Sequence, residues 1–363
     1  MSTNTGTARP QLGAVRRQAV SGLGAGPTSG LVNWRPLLAQ DPLPALCTPT
    51  MPGISLPKWA AAHQADIHQR LVDHGAILFR GFAVTGAKDF NDYIDAVSGG
   101  ALEYQFRASP RTQIQQDLNV YTSTDYPADE SIFPHNEHSY SPVFPLHLFL
   151  YCDIPALTQG ETPIGSTRLL LSRIRTEVRE AFARKKIMYV RNFGEGFGLP
   201  WQTVFQSSDR ATVEAYCRGV GIQVEWKSGD RLRTRQVGAA LMRHPVTGET
   251  VWFNHGTFFH ELTLPASVRE QLRSEFAPDE LPQNTFYGDG TPIEPETIEH
   301  LQGLYRDVMV KFPWQKGDLL MLDNMLALHG RSPFTGPRRV MVAMAKACKG
   351  SDLMWERDDA SNH

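Results

Sequence analysis

Phe133-Pro134-His135-Asn136-Glu137-His138-Ser139-Tyr140 is the stretch on which the fold turns. His135 and Glu137 stand two apart, the side-chain period of a β-strand, so an imidazole and a carboxylate leave one face together. They make two-thirds of a metal site. In a chain with 12 histidines and 38 acidic residues the same spacing also fits a bland surface pair. The choice between the two rests on what accompanies the pair. Far downstream, Leu326-Ala327-Leu328-His329-Gly330-Arg331 offers His329 as a third donor, followed by Pro333-Phe334-Thr335-Gly336-Pro337-Arg338-Arg339. Gly160-Glu161-Thr162-Pro163 lies between the two.

The 363 residues are 41% hydrophobic and 20% charged, with a formal net charge of −2. That is an ordinary globular composition. Without blocks of like charge, nothing points to a nucleic-acid groove or an anionic membrane surface. No apolar run reaches the roughly 20 residues of a membrane helix. Cys47, Cys152, Cys217 and Cys348 are scattered singly, which excludes a disulfide framework or a thiolate zinc site and fits a reducing cytoplasm. The first thirty residues are rich in Gly, Ser, Thr and Ala around Arg16-Arg17. They lack the apolar centre of a secretory signal and read as a flexible tail rather than a transit peptide.

Residues 1–53 are expected to be loosely ordered, with Asp41-Pro42-Leu43-Pro44 as punctuation. Residues 54–350 read as one domain, with a helical and strand insert around 165–310, and 351–363 as a tail. Trp59, His63, Ile67 and Leu71 recur at helical spacing up to Gly75, and Phe90, Tyr93, Ile94 and Val97 up to Gly99-Gly100. Ala76–Phe79 and the alternating run Leu146–Cys152 read as strands, with His147 a packed strand histidine. Leu171, Ile174, Val178 and Phe182 predict a helix whose polar face carries Arg173, Arg175, Arg179 and Arg184. Short strands and one helix near 211–217 follow, then a hairpin around Pro245–Glu249. Ile298, Leu301, Tyr305 and Val308 predict the last helix, and residues 312–323 and 339–345 the closing strands. Arg231, Arg233 and Arg235 share one face of a possible strand, either an exposed edge or an anion-binding wall near a substrate. Ser131 and Thr122, just upstream of the metal pair, are candidate pocket residues.

Many short strands, with one half of a metal site early and the other late, predict a mostly β fold with flanking helices. A double-stranded β-helix, or jelly roll, brings such distant residues together at its mouth. Two imidazoles and a carboxylate suit Fe(II) and leave positions open for a chelating 2-oxo acid and for O2. The distal carboxylate of 2-oxoglutarate needs a planar donor fork, which Arg supplies. Arg338 and Arg339 are both at hand, on opposite faces of the next strand, and the Thr162 hydroxyl can add a hydrogen bond. The bland reading makes the arginines a surface pair and Thr162 a turn residue.

These residues resemble the TauD/TfdA family of Fe(II)/2-oxoglutarate-dependent oxygenases. The likeness runs from Gly75–Phe82 through His135-Asn136-Glu137, Gly160–Ile164, Tyr287-Gly288-Asp289-Gly290 and Asp323-Asn324 to His329-Gly330-Arg331 and Arg339. It is nearest the natural-product branch, with its syringomycin-pathway aspartyl hydroxylase and clavaminate synthase. The resemblance implies a double-stranded β-helix, Fe(II) on His135, Glu137 and His329, and the co-substrate carboxylate on Arg339, assisted by Thr162. Taurine dioxygenase carries Asp at the carboxylate position and a second Arg four residues past its co-substrate Arg. Glu137 and Ala343 stand at those positions here, which argues against a sulfonate substrate.

The implied reaction is hydroxylation of an unactivated C–H bond in an amino acid or a derivative, free or tethered to a carrier protein. Desaturation, epoxidation and cyclisation use the same oxidant. Halogenation needs the carboxylate absent, and Glu137 is present. A zinc-dependent cupin-type hydrolase or isomerase would use the same donors but has no need of Thr162 and the late arginines. A silent binding protein would not keep every ligand position filled. The expected partners are a small amino-acid-like molecule, free or on a carrier protein, and neither nucleic acid nor membrane, with a homo-oligomer left open.

Overall fold

A computed structural model describes residues 30–353 apart from 40, 104–111, 115–116, 124–125 and 195–198. Most of the flexible tail expected before residue 30, and the tail beyond 353, lie outside the described residues.

Two sheets face each other. The larger has seven strands in the order Val32–Leu38, Asp41–Pro49, Ala76–Phe79, Leu319–Asp323, Val143–Ile154, Arg339–Lys349 and Tyr121–Thr122. Only the Asp41–Pro49 and Ala76–Phe79 pairing is parallel. The smaller has Met309–Val310, Ile164–Ser166, Ala327–Arg331 and Ile132–His135, all antiparallel. Alternation along the central strands explains the packing. Leu78, Leu148, Leu150, Leu320, Leu322, Val340 and Val342 turn towards the smaller sheet and meet Ile164 and Ala327. Ile77, Phe79, Phe149, Tyr151, Leu319, Met321 and Ala343 turn the other way. There Trp59, Ile67, Leu71, Phe90, Tyr93 and Ile94 cover them, from the helices Leu56–Ala61, Gln64–His74 and Ala87–Ser98. A sheet buried on both faces has strands that are apolar throughout, which is why Ala76–Phe79 is legible as a strand. The architecture is the double-stranded β-helix with flanking helices.

The N-terminal expectation needs correction. Val32–Leu38 and Asp41–Pro49 are two ordered strands, not loose chain. Pro42 and Pro44 mislead because neither is a ladder partner: pairing to the first strand uses Asp41 and then Ala45 onward, and pairing to the third begins at Ala45. A proline costs a strand only where its missing N–H is needed. Leu43, Ala45, Leu46 and Cys47 are buried.

Between Ile164–Ser166 and Met309–Val310 the chain leaves the core and returns. This segment holds a four-stranded sheet of Ile222–Trp226, Leu232–Gly238, Ile187–Phe193 and Gln283–Tyr287, the hairpin Leu241–Arg243 with Thr250–Trp252, and several helices. The expected helix over Leu171–Phe182 is two, Thr167–Arg173 and Thr176–Lys185, broken where Ile174 is extended. The stretch from Trp59 to Leu71 likewise spans two helices, the second closed by Gly75 at φ 75°, a left-handed cap that glycine adopts without Cβ strain. Leu328, on the outward face of the smaller sheet, joins Phe182, Trp252, Ile298 and Tyr305 in a core that welds the segment to the barrel. No helix among the described residues is long and apolar enough to cross a membrane.

Candidate active site

His135 ends its strand as the direct antiparallel partner of His329. Residues 194 positions apart in the chain therefore meet, with ring centroids 4.3 Å apart. Glu137 lies just past the strand end, with one carboxylate oxygen 3.4 Å from His329 Nε2 and the other 3.4 Å from His138 Nε2. One donor atom from each of His135, Glu137 and His329 falls within 4.8 Å of the others. His135 Nδ1 is committed to the Phe133 carbonyl at 2.9 Å, the kind of backbone bond that fixes a ligand ring. Gly330 permits the close approach: a Cβ there would lie 2.8 Å from the Ile132 carbonyl oxygen.

Two asparagines set the position of Glu137. Asn324 Oδ1 accepts the Glu137 amide at 2.7 Å, and its Nδ2 donates to the Glu137 and Pro145 carbonyls at 2.8 Å each. Asn136 Nδ2 donates to the carbonyls of Asn324 and Ala327 at 2.6 and 3.1 Å. Both side chains are fully buried. Asp323, one residue earlier, caps the turn through Met325 and Leu326 amides and pairs with the buried His244 at 2.9 Å. The insert closes the other side. His255 and Phe258 place their rings 5.4 and 4.8 Å from that of His135. His255 bonds Ser139 at 2.6 Å, its backbone amide donates to the Tyr189 hydroxyl, and burial holds its pKa well below the usual range. Asn136, Asn324, His255 and Phe258 escape a reading that seeks only metal ligands. The signal for the asparagines was their place beside the two halves of the motif.

A pocket opens beside the donors, lined by Ser123, Ile132, Leu150, Thr162, Gly330, Arg331, Arg338 and Val342 with His135, Glu137 and His329. The arginine favoured by the sequence reading does not line it. Arg339 is turned outward, more than half exposed, and paired with Asp153. Arg338 faces the pocket instead, with Nε donating to the Gly160 carbonyl at 2.9 Å and NH1 near Ser123 Oγ at 3.4 Å. The reason is the strand period: Arg338 shares the inward face of Val340 and Val342, while Arg339 falls on the opposite one. Burial pulls the Arg338 pKa down to about 10, and Arg331 adds to the effect. Thr162 is buried, and its hydroxyl accepts from Trp314 Nε1 at 3.1 Å. That leaves the hydroxyl proton to be donated.

The other candidates are not brought to this pocket. Ser131 is exposed, and Thr122 Oγ1 accepts the Thr112 amide at 3.0 Å, leaving Ser123 as the lining residue. Arg231 bonds Ser228. Arg233 is buried and pairs with Asp279 at 2.9 Å, and Arg235 pairs with Glu225 at 2.8 Å. Arg233 and Arg235 are thus partnered by acids of the neighbouring strand and the turn beside the sheet, and Arg231 by the Ser228 hydroxyl.

The donor set suits a divalent iron: two neutral imidazoles and one carboxylate on one side, an open pocket on the other. The comparisons agree. The model of the "Taurine catabolism dioxygenase TauD, TfdA family" matches residues 39–344. The dapdiamide synthesis protein DdaC of Enterobacter agglomerans is 38% identical over 312 residues, 86% of this chain and 94% of that protein. A clavaminate synthase-like protein of Arabidopsis thaliana is 29% identical over 326 residues, 85% of this chain and 94% of its own. In fold, the crystal structure of PvcB from Pseudomonas aeruginosa aligns over 91% of this chain and 96% of its own, with a TM-score of 0.54 at 17% identity. A second PvcB structure, described as an Fe, alpha-ketoglutarate dependent oxygenase from an isonitrile synthetic pathway, aligns with a TM-score of 0.52, also at 17% identity, over 89% of this chain and 96% of its own. With the family model covering both halves of the donor set and the pocket between them, the chain belongs to the TauD/TfdA family and is a non-haem Fe(II)- and 2-oxoglutarate-dependent dioxygenase.

Proposed function

We propose that this dioxygenase hydroxylates an unactivated C–H bond of an amino acid or amino-acid-derived small molecule in a natural-product pathway, in the cytoplasm. One observation carries the reading: the His135, Glu137 and His329 donors and the Arg338 guanidinium line one pocket. His135, Glu137 and His329 are assigned as the iron ligands. Iron bound there supplies the oxidising chemistry, driven by conversion of 2-oxoglutarate and O2 to succinate and CO2. Arg338 is assigned to the distal carboxylate of 2-oxoglutarate, with the Thr162 proton as a further donor. Leu150, Ile132 and Val342 give that end of the pocket apolar walls that keep water from the charge pair.

The natural-product setting is supported by the name of the relative DdaC, a dapdiamide synthesis protein, and by the pathway named for PvcB. A carrier-tethered substrate fits the same setting. Position 342, four past Arg338, is Val, so the second arginine that marks a sulfonate site is absent on this count also. The four cysteines are free, and three are buried, which supports a reducing compartment.

The test is succinate formation with Fe(II), ascorbate and a panel of amino acids, free and as carrier thioesters. Substrate-dependent succinate and a product 16 mass units heavier are expected. A product two units lighter would move the reading to desaturation or ring closure. Failure of every amino-acid substrate, with succinate formed on another class, would overturn the substrate assignment.

A further inference from the structure

Arg331 lines the same pocket as Arg338, two residues along the strand from His329, and is 6% exposed. No carboxylate pairs with it among the described residues. Its terminal nitrogens go instead to backbone: NH1 to the Tyr126 carbonyl at 3.0 Å, NH2 to those of Glu130 at 2.8 Å and Pro127. Its Nε is buried without a partner. The acceptors belong to the stretch joining Ser123 to Ile132, and both of those residues line the pocket. Ile132 begins the His135 strand and is the direct ladder partner of Arg331.

We propose that Arg331 is the positioning residue of the co-substrate pocket: its guanidinium braces residues 126–130, fixing Ser123 and Ile132 as walls, while Arg338 takes the anion. A neutral side chain could not do this. Three carbonyls arranged around one point need a planar fork of donors, and burying a cation without a counter-ion is costly unless something compensates. The compensation is partial here, from carbonyl dipoles, and is completed when a dianion enters a pocket lined by two guanidinium groups. The inference rests on the assignment of 2-oxoglutarate to this pocket.

The test compares Arg331→Met and Arg331→Lys with the whole wild-type protein. The readouts are the 2-oxoglutarate KM and kcat, and hydrogen exchange of the backbone amides in 126–130, Pro127 having none, with Mn(II) bound. For Arg331→Met, KM is expected to rise roughly tenfold with a smaller change in kcat, and exchange over 126–130 to quicken. Lysine keeps the charge without the fork, so it should recover part of the KM and none of the exchange protection. Wild-type exchange over 126–130 in Arg331→Met would overturn the proposal. If that variant does not fold, Arg331→Lys decides: full recovery of both readouts would contradict a fork-dependent brace. Absence of 2-oxoglutarate binding by the wild type would instead remove the functional reading beneath it.

Discussion

Asn324 and Glu137 are joined by two reciprocal hydrogen bonds, amide to Oδ1 at 2.7 Å and Nδ2 to carbonyl at 2.8 Å, across 187 positions of sequence. This clamp ties the turn carrying the Glu137 carboxylate to the turn that precedes His329. The β-ladder alone aligns the two histidines. The asparagine aligns the third donor with them.

Asn324→Ala should therefore weaken metal binding more than it weakens the fold. Loss of a partner that orients a ligand costs about 10- to 100-fold in metal affinity. Titration with Co(II), read by its visible spectrum, measures this directly. An unchanged affinity would place the asparagine in the fold alone.

Arg338 and Arg339 are neighbours in sequence with opposite fates. Arg338→Met should raise the 2-oxoglutarate dissociation constant by roughly 10- to 100-fold, the worth of about 1.5–3 kcal/mol for bonds to a charged group. Arg339→Met removes only an exposed pair with Asp153, worth about 0–1 kcal/mol to stability, and should leave co-substrate affinity as it was. Calorimetric titration of both variants with Mn(II) present separates them, and the reverse order would restore the sequence-based choice.

Thr162→Val deprives the Trp314 indole of its acceptor as well as removing a donor from the pocket. A buried N–H left unsatisfied costs about 1–3 kcal/mol, so a fall in the melting temperature should accompany a rise in the 2-oxoglutarate KM. Thr162→Ser keeps the hydroxyl and should recover most of the KM.

His147 predicts an acid-side loss of stability. It is buried on the Val143–Ile154 strand and bonded to Ser98 at 2.8 Å, and desolvation lowers its pKa to about 4. Since the unfolded imidazole titrates near 6.5, the unfolded chain binds the extra proton first. The stabilising contribution is complete above about pH 6.5 and is lost as pH falls through about 4. Denaturant unfolding of His147→Gln should show a shallower decline across that window than wild type. An identical slope would mean the ring is protonated in the native protein.

Much of this was legible in the sequence because hydrophobic period and chemistry coincided. His135-x-Glu137 has the strand spacing, but only His135 is on the strand and Glu137 falls in the turn just after it; the apolar runs of the large sheet read as buried strands. What misled has a physical cause in each instance. Pro42 and Pro44 suggested disorder because sequence does not show which N–H groups a ladder will use. Arg339 matches the family arginine because Val340 to Ala343 line up with the strand after it, but a shift of one residue reverses the face, and the ladder is irregular between Arg339 and Val340. The Arg231, Arg233 and Arg235 row reads equally as an exposed edge or an anion wall, because the counter-charges of Arg233 and Arg235, Asp279 and Glu225, are not visible in the local pattern. The Asn136 and Asn324 clamp and the His255 and Phe258 shell depend on long-range contact that no local spacing encodes.

His135, Glu137 and His329 are assigned to Fe(II), and the pocket beside them to 2-oxoglutarate. The most direct measurement is the visible spectrum of the protein under anaerobic conditions as Fe(II) and 2-oxoglutarate are added together. A weak charge-transfer band is expected in the wild type and should be absent in His329→Ala. No band in the folded wild type, or an undiminished band in the variant, would overturn the assignment of iron and 2-oxoglutarate to this site.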